Sequence, residues 1–390
     1  MSPSSRRPVV AFRNVASYQA SSCPMRTLGQ RLAVWGARLV AWLLGVVLFR
    51  WRAKGAEHVE REGPLLLLCN HTSFFDPVWA GYFVGGDVAF MASTNLFRNR
   101  FVGAFVSALG AFPKVRYMKD RDSMAELARR YEAGEVICIF PEGKRTWDGR
   151  NEPVLPGIGR LVKRLGAEVV FCRLTTAHLF HPRWARFPRW VPVEIEYSPL
   201  RAFQDRTPEE ITAAVDEGIR IDVRARPAGF AWGFRMAEGL PTWLWACPSC
   251  FTLESLLPRG NRVCCGSCSA SWRLTVYGEL LPGLDVPLAH QAIADHFGAL
   301  PDPSLLSGEG RLVDLADDSV VAEGVVGFDE AGLDVGEDRF LWSDVLVLVV
   351  EVADQLHVRT DGRLMRLEIP GQSPMKWIHF MRPHWQAARS

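Results

Sequence analysis

One short stretch restricts the fold of this chain more than any other. Leu65–Cys69 is an unbroken apolar run, which predicts a buried strand. Asn70 and His71 follow at once, and Asp76 lies five residues after the histidine. Buried strands of this kind belong to α/β sheets, which place their chemistry at the carboxyl ends of the strands. An ideal helix would turn His71 and Asp76 about 140° apart, so the two side chains meet only at a strand-to-helix junction.

Two interpretations of this pair stand side by side. If His71 and Asp76 meet, the carboxylate fixes the imidazole tautomer and leaves the other ring nitrogen as a general base. If they do not, the segment is an ordinary loop histidine followed by a helix-capping aspartate. The rest of the chain decides between the two.

Length and composition limit the number of folded units and the classes of function that this chain can have. At 390 residues the chain is long enough for two or three folded units, and 48% hydrophobic residues supply an ample core. A net charge of +2 gives no general case for nucleic-acid binding. No secretory signal with a cleavage site is recognisable, so the cysteines are expected in a reducing cytosolic setting.

The N-terminal region points to a membrane surface. Residues 1–27 are polar, serine-rich and basic, which predicts a disordered tail. Residues 28–52 are predicted to form a helix in the membrane interface, because Leu39–Phe49 is only about half of the ~20 apolar residues that span a bilayer and Trp and Arg punctuate the segment. A helix packed on the protein's own core is the alternative.

Residues 53–228 alternate apolar strands with helical stretches, which predicts an α/β domain. Thr207–Glu210 is a capping box that opens a helix running to about Arg224. Phe180–Trp190 alternates aromatic residues with arginine, which fits either a loop at the lipid headgroup boundary or an ordinary surface loop. The predicted strands are Leu65–Cys69, Asp87–Met91, Glu135–Phe140, Gly166–Leu174 and Val191–Tyr197.

Three blocks occur in a fixed order: Asn70-His71 with Asp76, then Gly110–Arg116, then Phe140–Thr146. Together they resemble the glycerolipid acyltransferase family, whose best-known members acylate lysophosphatidate. That family carries Asn-His-x4-Asp, a glycine-rich block ending in Arg, and Phe-Pro-Glu-Gly-x-Arg-Ser; here Thr146 replaces the serine. The resemblance covers about residues 30–226 and implies a mixed acyltransferase-type sheet flanked by helices.

The resemblance implies an enzyme that moves an acyl chain from acyl-CoA or acyl carrier protein to a lysophospholipid hydroxyl. The simplest acceptor is 1-acyl-sn-glycerol-3-phosphate, which gives phosphatidate. His71 and Asp76 would deprotonate the hydroxyl directly, and arginine suits the acceptor phosphate because it binds in bidentate fashion. The expected substrate-binding residues are Arg116, Glu142, Gly143, Lys144 and Arg145; Glu142 would hold Arg145 or contact the glycerol.

Alternatives to this function stay open. The family usually has Val-Pro near Val169–Arg173, and no proline occurs there in this chain. Another lyso-lipid acceptor, such as an amino-acid lipid, is therefore a second hypothesis, and a non-catalytic lipid-binding scaffold is a third. The expected partners are a membrane lipid, the acyl donor and the cytoplasmic face of a membrane, held in a monotopic or peripheral manner, with no nucleic acid.

Two Cys-x2-Cys knuckles, 14 residues apart, predict a zinc ribbon over residues 242–275. Four thiolates make a closed structural site for Zn²⁺ rather than a catalytic one. Cys264 is an alternative ligand to its neighbour, and Trp243, Trp245 and Trp272 are expected to fill the ribbon's core. A role as a folding staple or docking module is favoured over nucleic-acid binding, because the segment has no stripe of basic residues. The predicted ligands are Cys247, Cys250, Cys265 and Cys268.

Residues 305–390 carry short strands and tight turns and finish with a helix that opens at Ser373-Pro374. This pattern predicts a β-rich domain closed by a helix. It is weakly similar to pleckstrin-homology-like or GRAM-like domains, and an unrelated small β-barrel fits equally well. The predicted strands are Gly324–Phe328, Gly332–Val335, Arg339–Trp342, Val345–Glu351, Leu356–Thr360 and Leu364–Ile369.

Overall fold

The computed structural model describes residue 36 and residues 51–389, with gaps at 61–62, 86, 98–99, 109, 115–120 and 352–354. The predicted tail, nearly all of the predicted interfacial helix and Arg116 lie outside the described residues. The chain divides into two compact units, with the boundary between Ala299 and Leu300. Within the described part of the chain, no helix is both long enough and apolar enough to cross a membrane.

The first unit is built on a seven-stranded mixed sheet in the order β1-β7-β6-β2-β5-β3-β4. Strand β2 lies in the middle and pairs in parallel with β5 on one side and β6 on the other. Strand β7 runs antiparallel to β6, and β1 runs parallel to β7. The strands are β1 Arg52–Lys54, β2 Leu65–Cys69, β3 Val88–Ser93, β4 Ala111–Lys114, β5 Val136–Ile139, β6 Val169–Leu174 and β7 Glu194–Tyr197.

Helices cover this sheet, as the predicted α/β class requires. Helices α4 and α6 cross closely at Gly159, where a Cβ atom would stand 1.8 Å from the carbonyl oxygen of Pro208, so only glycine fits. The helices are α1 Asp76–Tyr82, α2 Arg100–Ala108, α3 Arg121–Glu132, α4 Gly157–Leu165, α5 Ala177–Phe180 and α6 Pro208–Gly218, with 3-10 turns at Ala56–His58 and Thr94–Phe97.

The core lies on both faces of the sheet. Leu65 and Leu67 of β2 pack in the cluster on one face, while Leu66 and Leu68 pack in the cluster on the other. All four side chains are fully buried. Burial on both faces explains why this strand is a continuous apolar run instead of an alternating one.

The cysteine-rich region belongs to the same compact unit as the sheet. It forms a five-stranded antiparallel meander, followed by a helix that the sequence interpretation missed. Its elements are α7 Leu240–Trp243, β8 Leu256–Arg259, β9 Arg262–Cys265, β10 Ser271–Leu274, β11 Glu279–Leu281, β12 Leu284–Asp285 and α8 Val286–Phe297.

The second unit is a seven-stranded antiparallel sheet in the order β16-β15-β14-β13-β19-β18-β17, closed by a C-terminal helix. This confirms the predicted β-rich region with a final helix. The helix begins where Ser373 accepts hydrogen bonds from the amides of Met375 and Lys376. The elements are β13 Gly308–Asp314, β14 Val320–Phe328, β15 Gly332–Val335, β16 Asp338–Leu341, β17 Val347–Val350, β18 Leu356–Thr360, β19 Arg363–Glu368 and α9 Pro374–Ala387, with a 3-10 turn at Pro303–Leu305.

Helix α6 begins as predicted and ends earlier than predicted. Thr207 and Glu210 form the reciprocal capping box, but the helix stops at Gly218 instead of about Arg224. The side chain of Asn151 ends it, because its Oδ1 accepts from the amide of Ile221 at 2.9 Å and its Nδ2 donates to the carbonyl of Ile219 at 3.3 Å. A side chain from a distant loop thus replaces the helical hydrogen bonds.

Candidate active site

His71 and Asp76 meet at the junction between β2 and α1. The imidazole Nδ1 lies 2.8 Å from Asp76 Oδ2, and the carboxylate is fully buried. The same oxygen accepts hydrogen bonds from the backbone amides of Thr72 at 2.5 Å and Ser73 at 2.8 Å. A carboxylate oxygen accepts, so Nδ1 carries the proton, and Nε2 is the nitrogen with basic character. Thr72 and Ser73 are buried and position the carboxylate through their backbones.

Asn70 fixes the end of the strand that carries this pair. Its side-chain oxygen accepts from the amide of Leu174 at 2.7 Å, and its Nδ2 donates to the carbonyl of the same residue at 3.4 Å. The last paired residues of β2 and β6 are Cys69 and Cys172. The Asn70 side chain continues this pairing beyond them by binding the backbone of Leu174. The backbone before His71 is therefore held where the strand ends.

Glu142 supports the histidine from the turn that follows the neighbouring strand, β5. Its Oε1 accepts from the amide of His71 at 3.2 Å and from Asn151 Nδ2 at 3.1 Å, and its Oε2 accepts from the amide of Glu152 at 3.0 Å. Burial raises the pKa of Glu142 to about 7, although these three donors act in the opposite direction. The predicted contact with Arg145 does not appear among these bonds, and the carboxylate acts inside the protein as a brace.

The residues after Glu142 form a tight turn. Gly143 has a φ of +70°, and a Cβ atom there would stand 2.7 Å from Leu155 Cδ1, so glycine is needed for both backbone and space. Lys144 forms an ion pair with Glu152 at 2.9 Å. The amide of Thr146 donates to the carbonyl of His71 at 2.9 Å. The turn is thereby bound to the His71 segment from both of its ends.

Arg145 lies in a positive neighbourhood. The pKa of His181 falls to about 4, first because the ring is buried and then because the charges of Arg145 and Arg189 are near it. The carbonyl of Arg145 accepts a hydrogen bond from Arg183 Nη1 at 3.0 Å. Neutral His181 next to two guanidinium groups is a surrounding that favours an anionic ligand.

A stacked column of four side chains continues from this turn. The guanidinium of Arg183 lies 4.2 Å from the ring centroid of Trp147. Trp147 stacks on Trp243 at 5.4 Å with an interplanar angle of 2°, and Trp243 stacks on His290 at 3.6 Å with an angle of 5°. The sequence predicted Trp243 in the core of the cysteine-rich region, but its ring stacks between Trp147, in the turn that follows β5, and His290 of α8.

An aromatic ring packs on the His71 side chain, which is 15% exposed. Its ring stacks on Phe140 at 4.2 Å. Phe75, on the approach to α1, lies 5.6 Å from Phe180 and 5.8 Å from His181 between ring centroids. Phe74 and Phe75 are both exposed. The mouth of the site therefore presents apolar surface beside a base and a positive cluster.

Four cysteines form a second candidate site, and they are the four predicted from the sequence. Their sulfur atoms all lie within 4.8 Å of one another, with Cys247–Cys268 and Cys250–Cys265 both at 3.7 Å. Tetrahedral zinc with Zn–S bonds of about 2.3 Å sets its sulfur atoms about 3.8 Å apart, so the cluster fits zinc. Cys264 is not in the cluster; its Sγ lies 3.3 Å from Ser271 Oγ.

Comparison with known proteins agrees with the site geometry. The protein-family model described as Acyltransferase matches residues 50–175. The match covers about a third of the chain. It contains β1–β6, His71, Asp76 and the turn at Glu142–Arg145, and it ends immediately after β6.

Curated relatives cover part of the chain. The 1-acyl-sn-glycerol-3-phosphate acyltransferase of Bacillus subtilis (strain 168) is 28% identical over 91 residues, which are 23% of this chain and 46% of that protein. The chloroplastic 1-acyl-sn-glycerol-3-phosphate acyltransferase BAT2 of Brassica napus is 28% identical over 138 residues, 34% of this chain and 40% of that protein. The chain thus spans less than half the length of these relatives.

One solved structure is also similar to part of this chain. The 1-acyl-sn-glycerophosphate (LPA) acyltransferase PlsC of Thermotoga maritima aligns with a TM-score of 0.40 and 20% sequence identity. The alignment covers 49% of this chain and 76% of that chain.

Sequence reasoning missed the residues that brace the site. Asn151, Arg183 and Trp147 carry no motif that marks them, and their partners lie 9 to 96 residues away along the chain. Trp147 directly follows the Phe140–Thr146 block, and this position was the one feature of the sequence that could have marked it. The matched range 50–175 therefore contains the His71–Asp76 pair and two of these bracing residues, Trp147 and Asn151, while Arg183 lies outside it.

Proposed function

We propose that this protein transfers an acyl chain from a thioester donor to the free hydroxyl of 1-acyl-sn-glycerol-3-phosphate, giving phosphatidate at a membrane surface. The donor is acyl-CoA or acyl carrier protein. The observation that carries the proposal is the buried Asp76 carboxylate 2.8 Å from His71 Nδ1, in a segment that matches the Acyltransferase family model. The names of the curated relatives support the choice of acceptor.

In the proposed reaction His71 Nε2 takes the proton of the acceptor hydroxyl as its oxygen attacks the thioester carbonyl. The C–S bond then breaks, and the imidazolium returns the proton to the leaving sulfur. Asp76 stabilises the imidazolium between these steps. No covalent acyl-enzyme is required, and this agrees with the burial of Thr72 and Ser73.

The acceptor phosphate is assigned to the positive neighbourhood at Arg145, with Arg116 as a second predicted arginine. Arginine binds a phosphate through two parallel N–H donors. Lys144 is a weaker candidate, since its charge is partly balanced by Glu152. Gly143 and Glu142 serve the same site by shaping and bracing the turn that carries Arg145.

We also propose that the four-cysteine cluster holds a structural Zn²⁺ ion. When bound, zinc would join the knuckles at Cys247–Cys250 and Cys265–Cys268, and so fix the start of the meander to the segment that follows Trp243. The amides of Ser249 and Ser267 donate to the sulfur atoms of Cys247 and Cys265 at 3.4 and 3.3 Å, which stabilises thiolates in such a site.

The test is acyl transfer by the full chain, purified in mild detergent and given labelled acyl-CoA or acyl carrier protein. The acceptors are 1-acylglycerol-3-phosphate, lysophospholipids with larger headgroups and an amino-acid lyso-lipid, each compared with His71→Ala. We expect turnover of the phosphate acceptor and a loss in the variant of about 10²–10⁴-fold. Equal turnover in wild type and His71→Ala would support the hypothesis of a non-catalytic lipid-binding scaffold. Turnover of the other acceptors alone would support the hypothesis of a different lyso-lipid acceptor.

A further inference from the structure

Five aromatic side chains lie together on the surface of the first unit. They are 37–67% exposed. The backbones of Trp190 and Trp232 pair through reciprocal hydrogen bonds of 2.7 and 2.8 Å. Ring centroids of Phe187 and Phe234 are 6.4 Å apart, and those of Trp232 and Phe234 are 6.5 Å apart. We call Phe187, Trp190, Phe230, Trp232 and Phe234 the aromatic patch.

The backbone keeps these rings turned outward. Phe230, Trp232 and Phe234 alternate with small residues in an extended strap, so they share one face. The strap presses against the protein at Gly233, where a Cβ atom would stand 2.2 Å from Met236 Sδ and 3.3 Å from Arg189 Cγ. Because the inner side is filled, the aromatic patch has no room to turn into the core.

Arginine borders the aromatic patch. Segments 180–190 and 224–236, which carry its five rings, contain six arginines and no acidic residue. Arg183 and Arg189 are buried, so four of the six are exposed. The guanidinium of Arg235 lies 5.6 Å from the ring of Phe187 and 5.9 Å from that of Phe234, and it also pairs with Glu238. Aromatic rings with interleaved arginines fit the headgroup boundary of a bilayer that carries anionic lipids.

The position of the aromatic patch in the fold favours a bilayer over a second protein. Residues 175–193 leave the carboxyl end of β6 and enter the amino end of β7, which runs antiparallel to it. They therefore lie at the same edge of the sheet as Asn70 and His71. Phe180 and His181, at the start of this loop, contact Phe75 beside the His71–Asp76 pair. A lipid acceptor must reach His71 from this edge.

We propose that the aromatic patch docks the protein on an anionic phospholipid bilayer and so delivers the lipid acceptor to His71. This inference rests on the proposed function for its acceptor, while the docking itself is a property of the surface. Rings that enter the headgroup layer bury apolar area, and the exposed arginines meet lipid phosphates.

The experiment measures co-sedimentation of the full chain with vesicles made of equal parts phosphatidylcholine and phosphatidylglycerol. The variant is Trp232→Ala/Phe234→Ala. The matched control is Leu200→Ser, since Leu200 is 38% exposed and follows β7 at the opposite edge of the sheet. We expect the double variant to lower the vesicle partition coefficient on the order of tenfold or more and the control to leave it within about twofold.

Acyl transfer to a detergent-dispersed acceptor is measured in parallel, and it separates the docking proposal from the proposed acyltransferase function. We expect the double variant to keep this activity while losing activity on the vesicle-bound acceptor. Vesicle binding equal to wild type in the double variant would overturn the docking proposal, and so would a wild-type chain that does not sediment. A wild-type dimer that the double variant splits, with vesicle binding unchanged, would assign the patch to a second copy instead. If the double variant loses vesicle binding while the wild-type chain acylates no acceptor, the proposed function is refuted and the docking proposal is retained.

Discussion

At the scale of single residues, the site depends on one buried carboxylate oxygen with three donors. Asp76 Oδ2 accepts from the amides of Thr72 and Ser73 and from the His71 ring. The sequence allowed this pair to be predicted, because a strand ending before His71 leaves only a short junction in which Asp76 can turn back. It did not predict the bracing role of Glu142, since the donors to its carboxylate are two backbone amides and an asparagine that no motif marks.

Asp76→Asn is expected to lower the rate constant of acyl transfer on the order of 10²-fold or more. The amide keeps the shape of the carboxylate but removes the charge that stabilises protonated His71. The matched control is Asp285→Asn, since Asp285 caps α8 by accepting from the amide of Leu288 at 2.7 Å. Steady-state kinetics with labelled acyl-CoA would check this, and equal rates in the two variants would contradict a role for the charge.

Glu142 gives a pH-dependent prediction for stability. Its pKa is raised from 4.5 to about 7 in the folded protein, so the folded state holds a proton that the unfolded state releases in this range. The stability that this group contributes is therefore fully present below about pH 4.5 and is lost as the pH rises through about 7.

The measurement is the free energy of unfolding in urea for wild type and Glu142→Gln at pH 5 and pH 8. The shift of the pKa from 4.5 to about 7 corresponds to at most about 3–4 kcal/mol. We expect the wild-type protein to lose stability relative to the variant on going from pH 5 to pH 8, by an amount up to this limit. A difference that stays constant with pH would contradict the raised pKa.

At the scale of elements, continuous apolar runs were the reliable guide. Strand β2 was predicted to the residue, and β5 and β6 were found within their predicted ranges, because strands buried on both faces need apolar residues at every position. Strand β13 was missed, since its two glycines and alternating charges hide it. Helix α8 was also missed, although Asp285 and Pro287 mark its start.

The cysteine cluster gives a prediction with an internal control. The purified chain is expected to contain one zinc per molecule by elemental analysis, and Cys250→Ser is expected to lose it, because three thiolates leave the site open. Cys264→Ser should keep its zinc, since Cys264 contacts Ser271 instead of the cluster. A metal-free, well-folded wild-type protein would refute the zinc proposal.

The stacked column leads to a prediction about substrate affinity. Trp243→Ala removes the ring beneath Trp147 and is expected to raise KM for the phosphate acceptor up to about tenfold, since an aromatic pair contributes about 0.5–1.5 kcal/mol. The change in kcat should be smaller, because His71 and Asp76 are not in the column.

Trp243→Phe is the matched variant, and it should recover most of the affinity by restoring a stacked ring. The zinc content should be the same in both variants. A loss of kcat without a change in KM, or no recovery with phenylalanine, would argue for general destabilisation instead of positioning.

At the scale of the whole molecule, the order of strands could not be predicted. Strand β1 pairs with β7 and β2 pairs with β6 across more than a hundred residues, and no local pattern encodes such pairings. The α/β class, the cysteine cluster and the β-rich end with its helix were all predictable from patterning, because each depends on short-range periodicity or ligand spacing. Their grouping into two units was not.

The boundary between Ala299 and Leu300 predicts that residues 300–390 fold alone. Their sheet and closing helix share a core that includes the fully buried Trp342, Trp377 and Phe380. Expressed separately, this segment is expected to show a cooperative thermal transition and the circular dichroism of a β-sheet with one helix. A fragment without a transition, compared with the same residues in the full chain, would contradict independent folding.

The clamp between Asn70 and Leu174 has a consequence for synthesis on the ribosome. The two residues are 104 positions apart in the chain. At about 5–20 residues per second, a nascent chain carries the histidine for about 5 to 20 s before its supporting strand has been translated. The reactive pair is therefore assembled late, only after most of the surrounding α/β sheet has left the ribosome.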